Sequence, residues 1–223
     1  MSVPFASLSG QTITKLHLVV PALGIWHADV LLSQAIDVSG PQVLLLSGWT
    51  LNCAAIRAVD FAGARSLRLV GGTGGWRQTL PAKQYASPAG VPTVTVVSDA
   101  AVAVGEPPPV LDPIVSASLG TGYVRQAGAA SLVLNDLQAR GVLSWWLDPT
   151  GIVQTMPRPS ATVLSPFVAE SAHGASGWYR IATEFPADWQ PGSSFAGVTV
   201  SGIVSRVEHR IERGQFWTEV LVP

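Results

Sequence analysis

Between Val70 and Glu106 the chain reads VGGTGGWRQTLPAKQYASPAGVPTVTVVSDAAVAVGE, and this stretch constrains everything around it. Residues 71–92 hold five glycines (Gly71, Gly72, Gly74, Gly75, Gly90) and three prolines (Pro81, Pro88, Pro92). Neither residue type favours the interior of a strand or helix, so the segment is a loop that ends one unit and opens another. It presents Trp76, Arg77 and Tyr85, and then the pattern changes. Val94, Val97, Ala101 and Val104 recur at helical spacing, with Pro92 near the first turn and Gly105 placed as a C′ residue. Before this block the pattern is β. After it comes a small helical region, then more β.

The β reading of the first part rests on alternation and turn residues. Residues 1–10 read as a flexible or partner-clasping arm. Gln11 to Val20 alternates, with Ile13, Lys15 and His17 on one side and Thr12, Thr14, Leu16 and Leu18 on the other. Pro21 to Gly24 turns the chain, and Ile25 to Leu32 returns, with Trp26, Ala28 and Val30 set against His27 and Asp29. Gln42 to Cys53 is a third strand interrupted at Gly48; Ala54 to Ala62 and Ser66 to Val70 add two more. Short strands with turn signals roughly every 8–12 residues predict a small barrel or sandwich.

Glu106 to Ile114, with Pro107, Pro108, Pro109 and Pro113, is an extended linker. Gly128 to Arg140 is a helix: Ala130, Val133, Leu134 and Leu137 form its apolar stripe, Asn135, Asp136, Gln138 and Arg140 face away, and Gly141 stops it. Val142 to Thr155 is a hairpin turning at Asp148–Gly151, with Trp145 and Leu147 alternating against Trp146. The last third returns to β at Thr162–Val168, Trp178–Phe185, Val198–Ile211 and Gln215–Val222. A loop, Glu170 to Gly177, separates the first two of these, and Glu212-Arg213-Gly214 turns the last pair. Arg206, Glu208, Arg210 and Glu212 share one face with alternating sign, a solvated or interface face, while Val207 and Ile211 point the other way. The expected fold is mainly β with an α+β insert: two small β-barrel-like domains flanking a helix-plus-hairpin module. The expected divisions are an N-terminal arm (1–10), a first barrel (11–80), the insert (81–158) and a second barrel (159–223).

Composition narrows the setting. The 223 residues are 48% hydrophobic and only 12% charged, with a mean hydropathy of +0.35; ordinary soluble chains are about 25% charged. That balance fits either a membrane protein or a protein that buries much of its surface against other subunits. A spanning helix needs about 20 apolar residues, and the longest run, Leu16 to Trp26, is broken by His17, Pro21 and Gly24. No membrane-spanning segment is expected, nor a signal peptide, and assembly into a larger complex is the favoured reading. A net charge of −1 without a basic block leaves no electrostatic footprint for nucleic acid. The single cysteine, Cys53, allows no internal disulfide and reads as a buried thiol.

Chemistry-bearing residues are sparse. Gly71–Gly75 has the composition of a backbone cradle for phosphate, but no Lys follows as a Walker loop needs, so a tight turn is the better reading. His17, His27 and Asp29 can meet across adjacent strands, yet no third histidine lies nearby in sequence to complete a metal site. His173-Gly174-Ala175-Ser176-Gly177 is one residue short of a nucleophile elbow and no helix follows it. Glu208 and Glu212 would point opposite to His209 on a strand, which leaves them as surface charge. Trp145 and Trp146 face opposite sides, one for the core and one for an interface, or for stacking a sugar or base. No catalytic, cofactor-binding or metal-binding residue is therefore assigned, and the chain is not expected to be an enzyme.

The block from Val70 to Glu106 resembles the corresponding block of tailed-bacteriophage baseplate or tail-hub proteins. There a GG-x-GGW element, a proline-and-tyrosine segment and a valine-rich helix ending in GE follow a first β-barrel. Leu143 to Gly151, LSWWLDPTG, is similar to the hairpin of their helix-then-hairpin module. The end, VTVSGIVSRVEHRIERGQFWTEVLVP, resembles the closing hairpin of hub proteins, including late-control-D-like and VgrG-like chains. The resemblance implies a homotrimeric ring that joins the tail tube to the tail tip or baseplate proteins and lets DNA pass without specific binding. It implies a place in the virion tail, assembled in the host cytoplasm, with no cofactor and no catalytic residue. The chain is shorter than the large hubs and has no spike or lysozyme-like region, so no membrane-piercing or peptidoglycan-cutting role is expected. Two other readings stand beside this one: a carbohydrate- or receptor-binding β module at the tail tip using an exposed tryptophan, and a hydrolase using Ser176.

Overall fold

The computed structural model describes residues 5–112, 117–173, 176–196 and 201–223. Six strands come first: β1 (Ala6–Leu8), β2 (Gln11–Pro21), β3 (His27–Leu32), β4 (Pro41–Leu46), β5 (Trp49–Phe61) and β6 (Ala64–Gly71). They pair antiparallel in the order β1-β4-β5-β6-β3-β2, and β2 pairs back onto β1, so the sheet closes into a six-stranded barrel. Its interior is filled by inward alternate residues, among them Leu8, Leu18, Val30, Leu44, Leu51, Leu67 and Leu69, all buried. Ala6–Leu8, expected within an N-terminal arm, instead supply the strand that closes the barrel.

Three connections inside the barrel are two-residue turns with both residues at positive φ: Ser9-Gly10, Ser47-Gly48 and Ala62-Gly63. This is the mirror-image turn whose twist matches antiparallel strands, and the glycine takes the second left-handed position. Gly48 is therefore a hairpin turn between β4 and β5 rather than an interruption of one strand, and β5 runs on through Ala54 to Phe61. A Gly48→Val variant is expected to lose about 1–2 kcal/mol of stability, since a β-branched residue is strained at φ 82. Urea unfolding reads this directly.

The alternation expected along β2 is broken by a bulge. Ile13 partners Leu32 and Lys15 partners Leu31, which leaves Thr14 as an extra residue. Its hydroxyl donates to the Leu31 carbonyl oxygen at 2.9 Å. The insertion places Ile13 on the buried side with Leu16 and Leu18, not beside Lys15 and His17. A second bulge lies between Ala55 and Arg57 in β5.

Among the described residues, the insert consists of three two-stranded ribbons and two helices. In chain order these are β7 (Thr79–Leu80), β8 (Lys83–Ala86), α1 (Thr93–Ala103), β9 (Gly122–Arg125), β10 (Gly128–Ala129), α2 (Leu132–Ala139), β11 (Trp146–Leu147) and β12 (Val153–Gln154). The ribbons are β7–β10, β8–β9 and β11–β12. α1 follows Pro92 and buries Val96, Val97, Ala100 and Ala101, but Val94 lies on its exposed side. α2 is shorter than expected because Gly128 and Ala129 pair with β7. Its stripe of Val133, Leu134 and Leu137 is buried as the spacing predicts, with Ala130 just ahead of it.

The last third contributes β13 (Phe167–His173), β14 (Trp178–Thr183), β15 (Ser194–Ala196), β16 (Ser201–Ile203), β17 (Arg206–Glu212) and β18 (Gln215–Leu221). β15 and β16 form a ribbon. The other four continue the barrel sheet in the order β2-β17-β18-β14-β13. Residues Glu170 to His173, expected in a loop, are the second half of β13. The expected strand Val198–Ile211 is divided into β16 and β17, and its residues 198–200 lie outside the described residues. Phe167 packs edge to face on Trp189 and Phe195, whose own rings are tilted to each other, with centroids 5.1–6.0 Å apart, as the core of this second β unit. β2 is thus a shared strand: Gln11 and Thr12 close the barrel on β1, and Leu16 to Pro21 carry β17. The class is mainly β with a small α+β insert, as the sequence predicts.

Candidate functional site

The glycine block does form a cradle of backbone N–H groups, and the chain fills it with its own carboxylate. After Gly71 the backbone turns through Gly72 (φ 75) and Gly74 (φ 84) into one 3-10 turn, Gly75–Arg77. Successive N–H groups then converge, as they do in anion-binding nests. Glu106 takes the site: Gly75 N donates to its Oε1 at 2.6 Å, Trp76 N to Oε1 at 3.3 Å, and Thr73 N to Oε2 at 3.2 Å. Glu106 is buried, with 5% of its surface exposed. It gets there because α1 ends at Ala103 with Val104 as its cap, Gly105 takes φ 68, and Glu106 N bonds back to the Ala101 carbonyl. A Cβ at Gly75 would collide with the Val104 carbonyl oxygen, so this close approach requires glycine. The turn is therefore the tight turn the sequence favours, and the anion it holds is internal. The one sequence signal for it was an acidic residue directly after the C′ glycine.

The same loop welds the insert to the barrel rim. Gly72 N donates to Asn52 O, Asn52 N to Pro149 O, and the Asn52 side-chain amide to Thr150 O. Trp26, fully buried, donates from Nε1 to Asp148 O at 3.3 Å. The carbonyl of Trp76 accepts from Ser131 N at the start of α2. The barrel, α1, α2 and the β11–β12 turn all meet at this junction.

The adjacent tryptophans divide as strand alternation dictates. Trp145 is buried and donates to Asn135 Oδ1 at 3.2 Å. Trp146 donates to Met156 O, and the Arg158 guanidinium covers its ring at 4.2 Å from the centroid. Arg158 in turn donates to the carbonyls of Pro21 and Ala22, and burial lowers its pKa to about 10. Trp145 is thus closed to a sugar, and Arg158 occupies one face of the partly buried Trp146.

The outer face of the long sheet carries a row of opposed charges that crosses both β units. Glu170 pairs with Arg180 at 2.9 Å; Arg210 bridges Glu219 at 3.0 Å and Glu208 at 2.7 Å; Arg206 also reaches Glu208 at 2.7 Å. Across the seam, His17 Nε2 lies 2.8 Å from Glu208 Oε2 and Lys15 pairs with Glu212. The row continues through Asp29 and Arg68 at 2.6 Å. Burial raises the pKa of the Glu208 carboxyl, but hydrogen bonds from His17 and Arg210 and the charge of Arg206 outweigh it, and the net shift is downward. Burial and the charge of Arg68 lower His27.

These partners account for the other candidates. His17 and Asp29 face each other across β2 and β3, yet His17 serves Glu208 and Asp29 serves Arg68. No group of three ligating side chains occurs among the described residues. His209 points into the core, opposite Glu208 and Glu212, as expected. It lies 2.9 Å from Thr218 Oγ1, against the rings of Trp49 and Phe216, and burial lowers its pKa to about 3. Of the His173–Gly177 segment, Gly174 and Ala175 lie outside the described residues; Ser176 lines a shallow cleft of about 370 Å³ with Trp178, Arg180 and Glu208. Cys53 is buried, and its thiol is pushed up to about 12. Among the described residues no helix is long and apolar enough to cross a membrane.

No protein-family model matches the sequence, and no curated protein matches it either. Solved structures do match the fold. The tail protein from Neisseria meningitidis MC58 aligns with a TM-score of 0.64 at 13% identity, covering 97% of this chain and 95% of the other. The 43 kDa tail protein of prophage MuSo2 from Shewanella oneidensis aligns at 0.66 and 8% identity, covering 98% and 96%. The E. coli c3393 protein aligns at 0.68 and 10% identity, covering 96% of this chain and 75% of its own. It is a component of the type VI secretion system with structural similarity to the T4 bacteriophage tail proteins gp27 and gp5. From end to end, this chain has the fold of those tail proteins.

Proposed function

We propose that the chain is a structural protein of a bacteriophage tail, a hub in the baseplate that joins the tail tube to the tail tip. The observation that carries this reading is the end-to-end match of its fold to tail proteins, insert included. Three copies form a ring, and two β units per copy give six similar β units, so a sixfold tube meets a threefold tip. DNA passes through the ring without being bound specifically. The charged row supports this, because its arginines are matched by carboxylates and leave little unopposed positive charge to hold phosphates. The chain is not an enzyme on this reading. It acts in the virion tail after assembly in the host cytoplasm.

Light scattering over a concentration series, followed by imaging with the tail-tube protein, tests the reading. The expected mass is near three times the 23.3 kDa of one chain, with rings that seat on tube ends. A protein that stays monomeric at every concentration and adds nothing to tube ends would overturn it.

A further inference from the structure

Among the described residues, two unpaired backbone edges lie at opposite ends of one continuous run of strands. β4 covers β5 only as far as Ala54, so residues 55–61 of β5 pair with β6 alone. At the far end, β13 pairs with β14 alone among the described residues. Each free edge is seven residues long. Such edges attract other strands unless they are protected. Between them run β5-β6-β3-β2-β17-β18-β14-β13, eight strands with every neighbouring pair antiparallel. An even number of alternating strands gives the two edges opposite directions. A copy rotated about an axis along the strands therefore brings its β13 antiparallel to this β5.

The side chains on those edges complement one another. Register puts Arg57, Val59 and Phe61 on the face that carries Arg68 and Ser66. Arg57 sits directly opposite Arg68, a like-charged pair, and Arg68 is taken by Asp29. Arg57 has no acidic partner among the described residues. Phe61 is 80% exposed. On β13, Val168 is 64% exposed and Glu170 ends the charged row. Antiparallel pairing sets Phe61 beside Val168, at the rim of an apolar groove lined also by Phe5, Pro166 and Phe216. It sets Arg57 within reach of Glu170.

We infer that copies of this chain join head to tail through these edges, β13 of one copy pairing with residues 55–61 of β5 in the next, with Phe61 in the Pro166–Val168 groove and Arg57 against Glu170. This interface rests on the ring reading above and supplies its contact. Because the two patches differ, the contact is heterologous: it rules out a two-fold dimer and gives a ring where its rotation closes, as the ring reading requires.

Cysteine pairing in the full chain tests it. Cys53 is buried and stays silent. In a single copy, positions 57 and 170 lie seven strand-to-strand steps apart and do not bridge within one molecule. The double variant R57C/E170C, oxidised at concentrations where the protein assembles, is expected to give closed covalent rings. R57C mixed with E170C is expected to give heterodimers, and R57C alone none. In parallel, R57E is expected to weaken assembly at least tenfold, and R57E/E170R to restore it. Assembly that is complete yet indifferent to these changes would overturn the edge contact and leave the ring reading standing. Disulfide formation by R57C alone would also overturn the contact, in favour of a two-fold one. A monomer that neither assembles nor cross-links would overturn both.

Discussion

Replacing Glu106 by alanine is expected to lower the free energy of unfolding by about 3–5 kcal/mol, among the largest losses available to one substitution in this chain. The carboxylate accepts three backbone N–H groups in a site it almost fills. Each hydrogen bond to a charged acceptor contributes about 1.5–3 kcal/mol, and buried donors left without a partner incur their own desolvation cost. The contributions overlap because one group makes all three bonds, so they do not add in full. Glu106→Gln keeps the shape and one acceptor oxygen but turns the other into a donor facing Thr73 N; about half the loss is expected. Acetate or formate added to the alanine variant should restore part of the stability by entering the vacated nest. Urea unfolding reads the first two effects, and amide exchange at Thr73, Gly75 and Trp76 localises them. An alanine variant within 1 kcal/mol of the parent, with those amides still protected, would mean that the turn is organised without its carboxylate.

The second large effect is with pH, and it arises in the core. His209 has its ordinary value of 6.5 when unfolded and about 3 when folded, because burial disfavours its charge. Between those values the unfolded chain binds one more proton than the folded chain. Stability therefore falls as the solution is acidified from 6.5 toward 3, by about 1.4 kcal/mol per pH unit while the difference is complete. Below the folded value both states are protonated and this contribution levels off. His27, also lowered, acts in the same sense. Glu208 adds to it at the acid end: its depressed carboxyl contributes stability that is present above 4.5 and lost as pH falls through its folded value. Unfolding measured from pH 7 to pH 4 should show the slope. The double replacement His209→Phe with Thr218→Val, which removes both polar partners together, should flatten it between pH 6 and 4.5. An unchanged slope would place the acid sensitivity elsewhere.

Much of the barrel was legible because it is written locally. Alternation marked β2 and β3, and the glycine-proline segment marked where the barrel gives way to the insert. The stripe of α2 and the alternation of Trp145 with Trp146 were equally local. What escaped reading depends on partners far away in sequence. The bulge at Thr14 shows only when Ile13 and Lys15 are set against Leu32 and Leu31. Ser47-Gly48 reads as an interruption until both strands are seen to pair. β1 is three residues long and has no periodicity to detect. The glycine turn was visible as a turn, but its anion lies 31 residues beyond Gly75. The partnership of His17 with Glu208 spans 191 residues. The charged face of β17 was legible as a face; that it continues across the barrel was not.

The sharing of β2 also sets a constraint on how the protein is made. Leu16 to Pro21 leave the ribosome long before their partners, Arg206 to Ile211. Until β17 has emerged, the barrel can close but that side of β2 stays bare. Such non-local pairing slows folding and leaves an adhesive strand exposed meanwhile. The two β units are thus joined only once the β17–β18 hairpin has emerged. Premature termination would yield a near-complete barrel with an open side, prone to aggregate.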